Sequence, residues 1–391
     1  MGFSMRELDS GLAWELATGG PWPDPGTLQG DKAFLALALL EATRGVGCSN
    51  PNPPVGCVLV KEGRVIGRGA HLQAGEAHGE IMALRDALSH GEDPAGATAY
   101  VTLEPCCYHG RTPPCTDALI KARIRRVVVG VRDPNPRVDG GGVAILRASG
   151  IEVVENVLWG ECARFHAPFF KHIKTGMPWV VLKLALGSDG AIGVPGHRHH
   201  VTPTGIQALA HALRRASGAI LVGHGTVAVD DPLLTDRWPH PAPPHRRFWR
   251  VILDSRGELP ATARVWEPVP GQPALRAVVG DPAPLPGVED LHLPPSEQGQ
   301  GCSLRHLLHE LASRGVDRVL VEGGPRLATA LMHQRLVDEF HEFRADEAAG
   351  GPPVALAPPR SWRMHTQGGW PGGTWRIWRE PFGTSIENGT P

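Results

Sequence analysis

Residues 98–115 read TAYVTLEPCCYHGRTPPC. The opening six residues are apolar and β-prone, so they predict a buried strand. That strand runs into Glu104-Pro105-Cys106. Pro113-Pro114 then precede Cys115 at the start of a predicted helix over 116–122, a position where proline is tolerated. Upstream, His78-Gly79-Glu80 opens another predicted helix over 78–88. One strand end and two helix starts therefore deliver one imidazole, two thiols and one carboxylate. Helix N-termini carry free N–H groups and partial positive charge, which favours thiolate over thiol. Three ligands, His78, Cys106 and Cys115, would leave one tetrahedral position of Zn²⁺ open for water, as in a catalytic rather than a structural site. Glu80 is not a ligand in this reading. It is the catalytic residue that moves protons between water and a departing group.

The order His-x-Glu, Pro-Cys, Cys is the one zinc-dependent nucleobase deaminases use. The gap Cys106-x8-Cys115 is wider than the usual two residues. A closed structural site with Cys107 or His109 as fourth ligand is the alternative.

Working outward, helix and strand patterns alternate on both sides of this segment. Helix is expected over 33–43, a two-strand hairpin over 55–60 and 65–69, then strand 127–131, helix 143–148 and strand 151–154. A single helix over 161–174 closes this half. Gly176-Met177-Pro178 marks a boundary, and a second alternation starts at strand 179–184 and runs to about residue 378. Such alternation predicts α/β layers around a sheet in each half.

The 391 residues suit two or three domains, and 41% hydrophobic with 20% charged residues fits a globular chain. The net charge of −1 and 6% aromatics give no basic, aromatic-laced face for nucleic acid. No apolar run approaches the roughly 20 residues that span a bilayer. Seven cysteines, three of them at 106, 107 and 115, favour metal chemistry in a reducing cytoplasm over a disulfide framework. Residues 1–30 read as an irregular or disordered extension, and 383–391 as a tail of the same kind.

The second half carries two glycine turns. Gly223-His224-Gly225-Thr226 follows an apolar strand, but Asp230-Asp231-Pro232 interrupts any long helix after it. It fits a dinucleotide turn or a plain tight turn equally well. Glu322-Gly323-Gly324-Pro325 is a better phosphate cradle, because bare glycines precede a helix start and Arg326 adds charge. The run His197-Arg198-His199-His200 fits a solvated loop or a cationic patch near a phosphate, with a metal site as the alternative.

Together, 51–57 (PNPPVGC), His78-Gly79-Glu80 and 102–115 closely resemble the bifunctional riboflavin-biosynthesis deaminase/reductases of the RibD type. The long Cys-to-Cys loop is specific to that family among zinc deaminases. The resemblance implies a cytidine-deaminase-like three-layer sandwich over 31–176, followed by a dihydrofolate-reductase-like α/β domain over 177–382. It implies Zn²⁺ and NADPH as cofactors, a pyrimidine ribosyl phosphate as substrate, a cytoplasmic homo-oligomer, and no membrane or nucleic-acid partner.

For the deaminase substrate, Asn52 fits the sugar or base. His109, Arg111 and Thr112 fit either a phosphate or an exposed loop. In the reductase half the resemblance assigns Arg214, Leu234, Arg237 and Glu322 to the substrate, with the arginines as phosphate clamps. It assigns Ala185, His200, Thr226, Asp230 and Ser255 to the nucleotide, with Gly324, Pro325, Arg326, Leu327, Ala328, Thr329 and Ala330. Residues 183–190 (KLALGSDG) depart from the family's Lys-x-x-x-Ser-Leu-Asp-Gly, and three more departures stand out. Gly79 replaces the usual Ala, Arg198-His199-His200 replaces a Ser-x-Trp, and Ala345-Asp346 replaces an Ala-Pro. The last two leave open a paralogous deaminase with an altered or silent reductase half. A nucleic-acid-editing deaminase and a non-catalytic zinc scaffold are the remaining alternatives.

Overall fold

The computed structural model describes residues 10–194, 196–197, 204–239, 242–297, 299, 301–370 and 372–380. Helix α1 (Ser10–Ala17) belongs with the residues from Gly176 onward, and Thr18–Thr175 form a separate compact unit. The extension expected to be irregular therefore holds a helix and, at Pro25–Thr27, a 3-10 turn. Composition hid α1 because its burial depends on partners some 300 residues away in sequence.

The first unit contains α2 (Asp31–Ala42), β1 (Gly56–Lys61), β2 (Arg64–Ala70), α3 (Gly79–Ser89), β3 (Thr98–Leu103) and α4 (Cys115–Lys121). It continues with β4 (Arg126–Val131), α5 (Gly141–Ala148), β5 (Glu152–Val154), α6 (Trp159–Phe165) and α7 (Ala167–Thr175). The sheet order is β2-β1-β3-β4-β5. The β1–β2 hairpin turns at Glu62 and Gly63, both with positive φ, as a two-residue primed turn demands. Strand β3 is buried along its whole length because it lies between β1 and β4. Cys57, Leu59, Val101 and Val129 pack with Ala83 and Ala87 of α3 and Val143 and Leu146 of α5. Gly56 faces α2 so closely that a Cβ there would lie 2.0 Å from the Ala38 carbonyl oxygen. Helices on both faces make three layers. The single helix expected over 161–174 is two, broken at His166, where α7 restarts with Pro168 in its first turn.

The second unit contains β6 (Trp179–Leu186), α8 (Thr204–Arg215), β7 (Ala219–Gly223), α9 (His224–Asp230), β8 (Trp249–Leu253), β9 (Ala274–Val278) and β10 (Glu289–His292). After these come α10 (Leu304–Ser313), β11 (Arg318–Val321), α11 (Pro325–His333), β12 (Glu339–Ala345), β13 (Arg363–Trp370) and β14 (Gly373–Arg379). The order is β10-β9-β8-β7-β11-β6-β12-β14-β13. Seven neighbouring strands run parallel, and β14 and β13 add an antiparallel edge. The chain steps outward from β7 to β10, then returns to insert β11 between β7 and β6. A crevice outside the carboxyl ends of strands at such a reversal is where α/β sheets hold ligands.

Candidate active site

In the first unit, His78 caps α3 and Glu80 lies in that helix's first turn. Cys115 is the first residue of α4, and Cys106 lies beyond the end of β3. His78 Nδ1 is 3.5 Å from Cys106 Sγ and 3.3 Å from Cys115 Sγ. All three donor atoms lie within 4.8 Å of one another. A tetrahedral Zn²⁺ with bonds of about 2.3 Å to sulfur and about 2.05 Å to nitrogen separates such atoms by about 3.5 Å. The donor set therefore fits the metal. A donor from Cys115 and one from His78 drive the Cys106 thiol far below its ordinary value against the effect of burial, so it is poised as thiolate.

Cys107 turns its sulfur toward the Arg137 carbonyl, 3.7 Å away, and His109 is exposed. Neither joins the donor cluster among the described residues. The closed structural alternative thus lacks its fourth ligand.

Glu80 is 2% exposed, and its Oε2 has no hydrogen-bond partner. Burial pushes its carboxyl upward, opposed by His78. A buried carboxylate oxygen left open beside three ligand atoms is what a proton carrier requires. Gly79 also has a local cause. A Cβ there would meet the Val55 carbonyl oxygen at 2.6 Å, so the usual Ala has no room at this position without a shift.

One residue beside the site, His71, escapes the motif. His71 Nδ1 donates to the Ala77 carbonyl at 3.0 Å, which leaves Nε2 to accept from Asn52 Nδ2 at 3.1 Å. The same ring stands edge-on to His78, with centroids 4.9 Å apart. Asn52 thereby joins the site through His71. Glu104, within the motif, is occupied by backbone donors. Its buried carboxylate accepts N–H groups from Asp133 (3.4 Å), Gly140 (3.0 Å) and Val143 (3.0 Å), fastening the loop before α5 against the Cys106 segment. Thr112 sets its hydroxyl 3.5 Å from His78 Nε2. Arg111 is exposed, like His109.

In the second unit, the candidate residues gather at the carboxyl ends of adjacent parallel strands. Ala185 is on β6, Thr226 and Asp230 on α9 after β7, Ser255 after β8, and Glu322 with Gly324 after β11. The Thr226 hydroxyl is 4.0 Å from where a Gly324 Cβ would sit. Cβ atoms at Gly223 and Gly225 would meet open space, so the backbone of this turn is open to a ligand; in the other turn Gly324 is the open position, since a Gly323 Cβ would lie 2.7 Å from Leu327. Bare backbone beside the start of the nine-residue α11 fits the diphosphate of a nucleotide. Pro325 and Arg326 are exposed at this turn and Thr329 and Ala330 half-buried, whereas Leu327 and Ala328 pack in the core.

Ser255 Oγ is held by the Cys302 N–H (3.1 Å) and sulfur. Its neighbour Asp254, buried, takes His224 Nδ1 at 3.0 Å and the N–H groups of Glu258 and Leu259.

Two of the residues expected at the substrate are engaged within the protein. Leu234 does not offer its side chain to a ligand. It is 3% exposed and packs with Val227, Phe248 and Ile252, leaving only a main chain at φ 56°. Arg214 is not a free phosphate clamp. Its Nε and Nη2 bind Glu322 at 3.2 and 2.8 Å, and Nη1 donates to the Thr235 carbonyl at 2.9 Å. Arg237 is exposed and bonds Thr235 Oγ1 through Nε. Burial lowers the Lys183 ammonium, which lies 5.2 Å above the Phe343 ring. Burial would raise Glu322, but Arg214 and then Lys183 overrule it and hold the carboxyl at about 2. His200 and Arg198 lie outside the described residues. Asp346 follows β12 and donates its N–H to the Gly372 carbonyl at 2.9 Å.

Residues 28–131 match the cytidine and deoxycytidylate deaminase zinc-binding region, and 178–358 match the RibD C-terminal domain. The riboflavin biosynthesis protein RibD of Escherichia coli is 38% identical over 330 residues, covering 82% of this chain and 89% of that protein. The chain belongs to the RibD family. Its Aquifex aeolicus member is 40% identical over 328 residues, covering 82% of this chain and 88% of its own. A solved Thermotoga maritima diaminohydroxyphosphoribosylaminopyrimidine deaminase/5-amino-6-(5-phosphoribosylamino)uracil reductase superposes with TM-score 0.80 at 35% identity, over 90% of this chain and 99% of that one. Acinetobacter baumannii RibD gives 0.75 at 34% identity, with the same coverage. The cytidine-deaminase-like zinc unit followed by a reductase-like α/β unit is thus the RibD architecture. Among the described residues no helix is long and apolar enough to cross a membrane.

Proposed function

We propose that this RibD-family chain carries out two steps on a diaminopyrimidinone ribosyl phosphate. The first unit replaces a ring amine by oxygen, and the second reduces the ribosyl group to ribityl with NADPH. The observation that carries the reading is Glu80, a buried carboxylate with an open oxygen beside His78, Cys106 and Cys115. Zinc at those three donors would supply Lewis-acid activation of water at neutral pH. Glu80 then accepts a proton from the attacking water and delivers it to the amine, which leaves as ammonia. Asn52, fixed by His71, orients the substrate, and Thr112 braces His78. NADPH would supply the hydride in the second unit. There the open turns at Gly223 and Gly324 cradle its phosphates. Lys183, made more acidic by burial, offers a proton beside Glu322. Arg237 meets the substrate phosphate, while Arg214 holds Glu322 in place.

The test is ammonia release and NADPH oxidation by the zinc-loaded chain with this substrate. Both are expected. Ammonia release without NADPH oxidation would reject the reductase assignment, and no ammonia would reject the deaminase assignment.

A further inference from the structure

Helix α1 precedes both segments that match the family, which begin at residues 28 and 178. It nevertheless groups with the residues from Gly176 onward. Leu16 and Ala17 are 1% and 0% exposed. The Ala17 carbonyl accepts a buried hydrogen bond from Arg318 Nη1 at 2.6 Å, at the start of β11. Helix α1 packs along α8, which carries Arg214. The Trp14 ring meets Trp238 with centroids 5.7 Å apart and planes tilted 37°. Trp238 adjoins Arg237.

The loop over 231–238 is built to be held. Asp231 and Leu234 both have positive φ, 41° and 56°, and for the leucine this strained backbone survives only where neighbours dictate it. From the core side, Arg250 Nη1 binds the Leu233 carbonyl at 3.2 Å and Arg214 binds that of Thr235. The Asp236 carboxylate sits between Arg215 and Arg246, 3.0 Å from each. These anchors end at Asp236. Beyond it, among the described residues, Arg237 Nε and the Trp238 N–H bond to Thr235 and Asp236 of the same loop. Among the described residues, Trp14 reaches this outer end from a distant segment.

We propose that α1 is a positioning element of the reductase site, with Trp14 holding Trp238 so that Arg237 keeps its place toward the substrate phosphate. The proposal rests on the reading of this loop as substrate-binding. It assigns to a segment before the deaminase unit a role in the other unit's reaction. Trp14 acts through Trp238 and touches no substrate.

The experiment uses the full chain with Trp14→Ala, Trp14→Phe and, in parallel, Arg237→Ala. The readouts are kcat and KM for reduction of the deaminated ribosyl phosphate, KM for NADPH, and the deamination rate. Loss of an aromatic pair of this kind predicts a roughly 3- to 10-fold rise in ribosyl-substrate KM for Trp14→Ala. The KM for NADPH and the deamination rate stay at wild-type values, and Trp14→Phe recovers most of the loss. If Arg237→Ala raises that KM and Trp14→Ala does not, the positioning role is wrong and the substrate reading stands. If Arg237→Ala leaves it unchanged, the substrate reading of the loop fails first. A Trp14→Ala variant that loses kcat and melting temperature together, without rescue by Phe, would make α1 a stabiliser only and overturn the proposal.

Discussion

Replacing Glu322 by Gln tests the electrostatics of the reductase crevice. The wild-type carboxylate takes two hydrogen bonds from Arg214, and each side chain of the pair is 14% exposed. A carboxyl held at about 2 instead of 4.5 stabilises the fold by about 3 kcal/mol through proton linkage. The sign follows from the depressed value. The contribution is complete above pH 4.5, where both states are ionised, and is lost as pH falls to about 2. In Glu322→Gln that loss takes the form of the Arg214 and Lys183 cations facing one another without an anion. At about 2–4 °C per kcal/mol for a unit of this size, the second unit should melt roughly 6–12 °C lower at pH 7. Thermal unfolding followed by circular dichroism from pH 7 to pH 2 provides the assay. The variant's curve should be flatter than wild type between pH 4.5 and 2. Adding Arg214→Met should recover part of the stability, because it removes the stranded charge. Parallel pH curves, or a loss below about 1 kcal/mol, would refute the assigned ion pair.

Glu80→Gln should retain zinc, measured by metal analysis, yet lose deamination by on the order of 10²-fold or more, because the proton carrier is gone. Stripping the metal with a chelator should abolish ammonia release and leave NADPH oxidation by the deaminated substrate intact, since the zinc donors all belong to the first unit. His166 is fully buried, and burial pushes its pKa down to about 3. The unfolded chain takes up that proton first, so stability is lost as pH falls from 6.5 toward 3. His166→Gln should remove this loss from the first unit's acid unfolding curve, and an unchanged curve would show that another group is responsible.

The zinc donors were legible because each occupies an element boundary that sequence marks well: a helix cap, a strand end, a Pro-Pro helix start. The turn at Gly323-Gly324-Pro325 was legible for the same reason. What sequence hid were partners distant along the chain. Arg214 looks like a free clamp until its carboxylate appears 108 residues away. Leu234 looks available until the surrounding apolar side chains close over it. His71 is a lone histidine with no spacing signature, and its link to Asn52 exists only once β2 is placed beside the 49–54 loop. Glu104 was visible in the motif, but its job depends on N–H groups from Asp133, Gly140 and Val143. Helix α1 was the furthest from reach, since its anchoring bond spans 301 residues.

Mass spectrometry of the diaminopyrimidinone ribosyl phosphate after incubation with the zinc-loaded chain, with and without NADPH, and with Glu80→Gln as control, tests the account most directly. Wild type should exchange the ring amine for oxygen in both conditions and add two hydrogens only with NADPH, while Glu80→Gln leaves the amine in place. Deamination that persists in Glu80→Gln, or a wild-type chain that leaves the substrate mass unchanged, would contradict it.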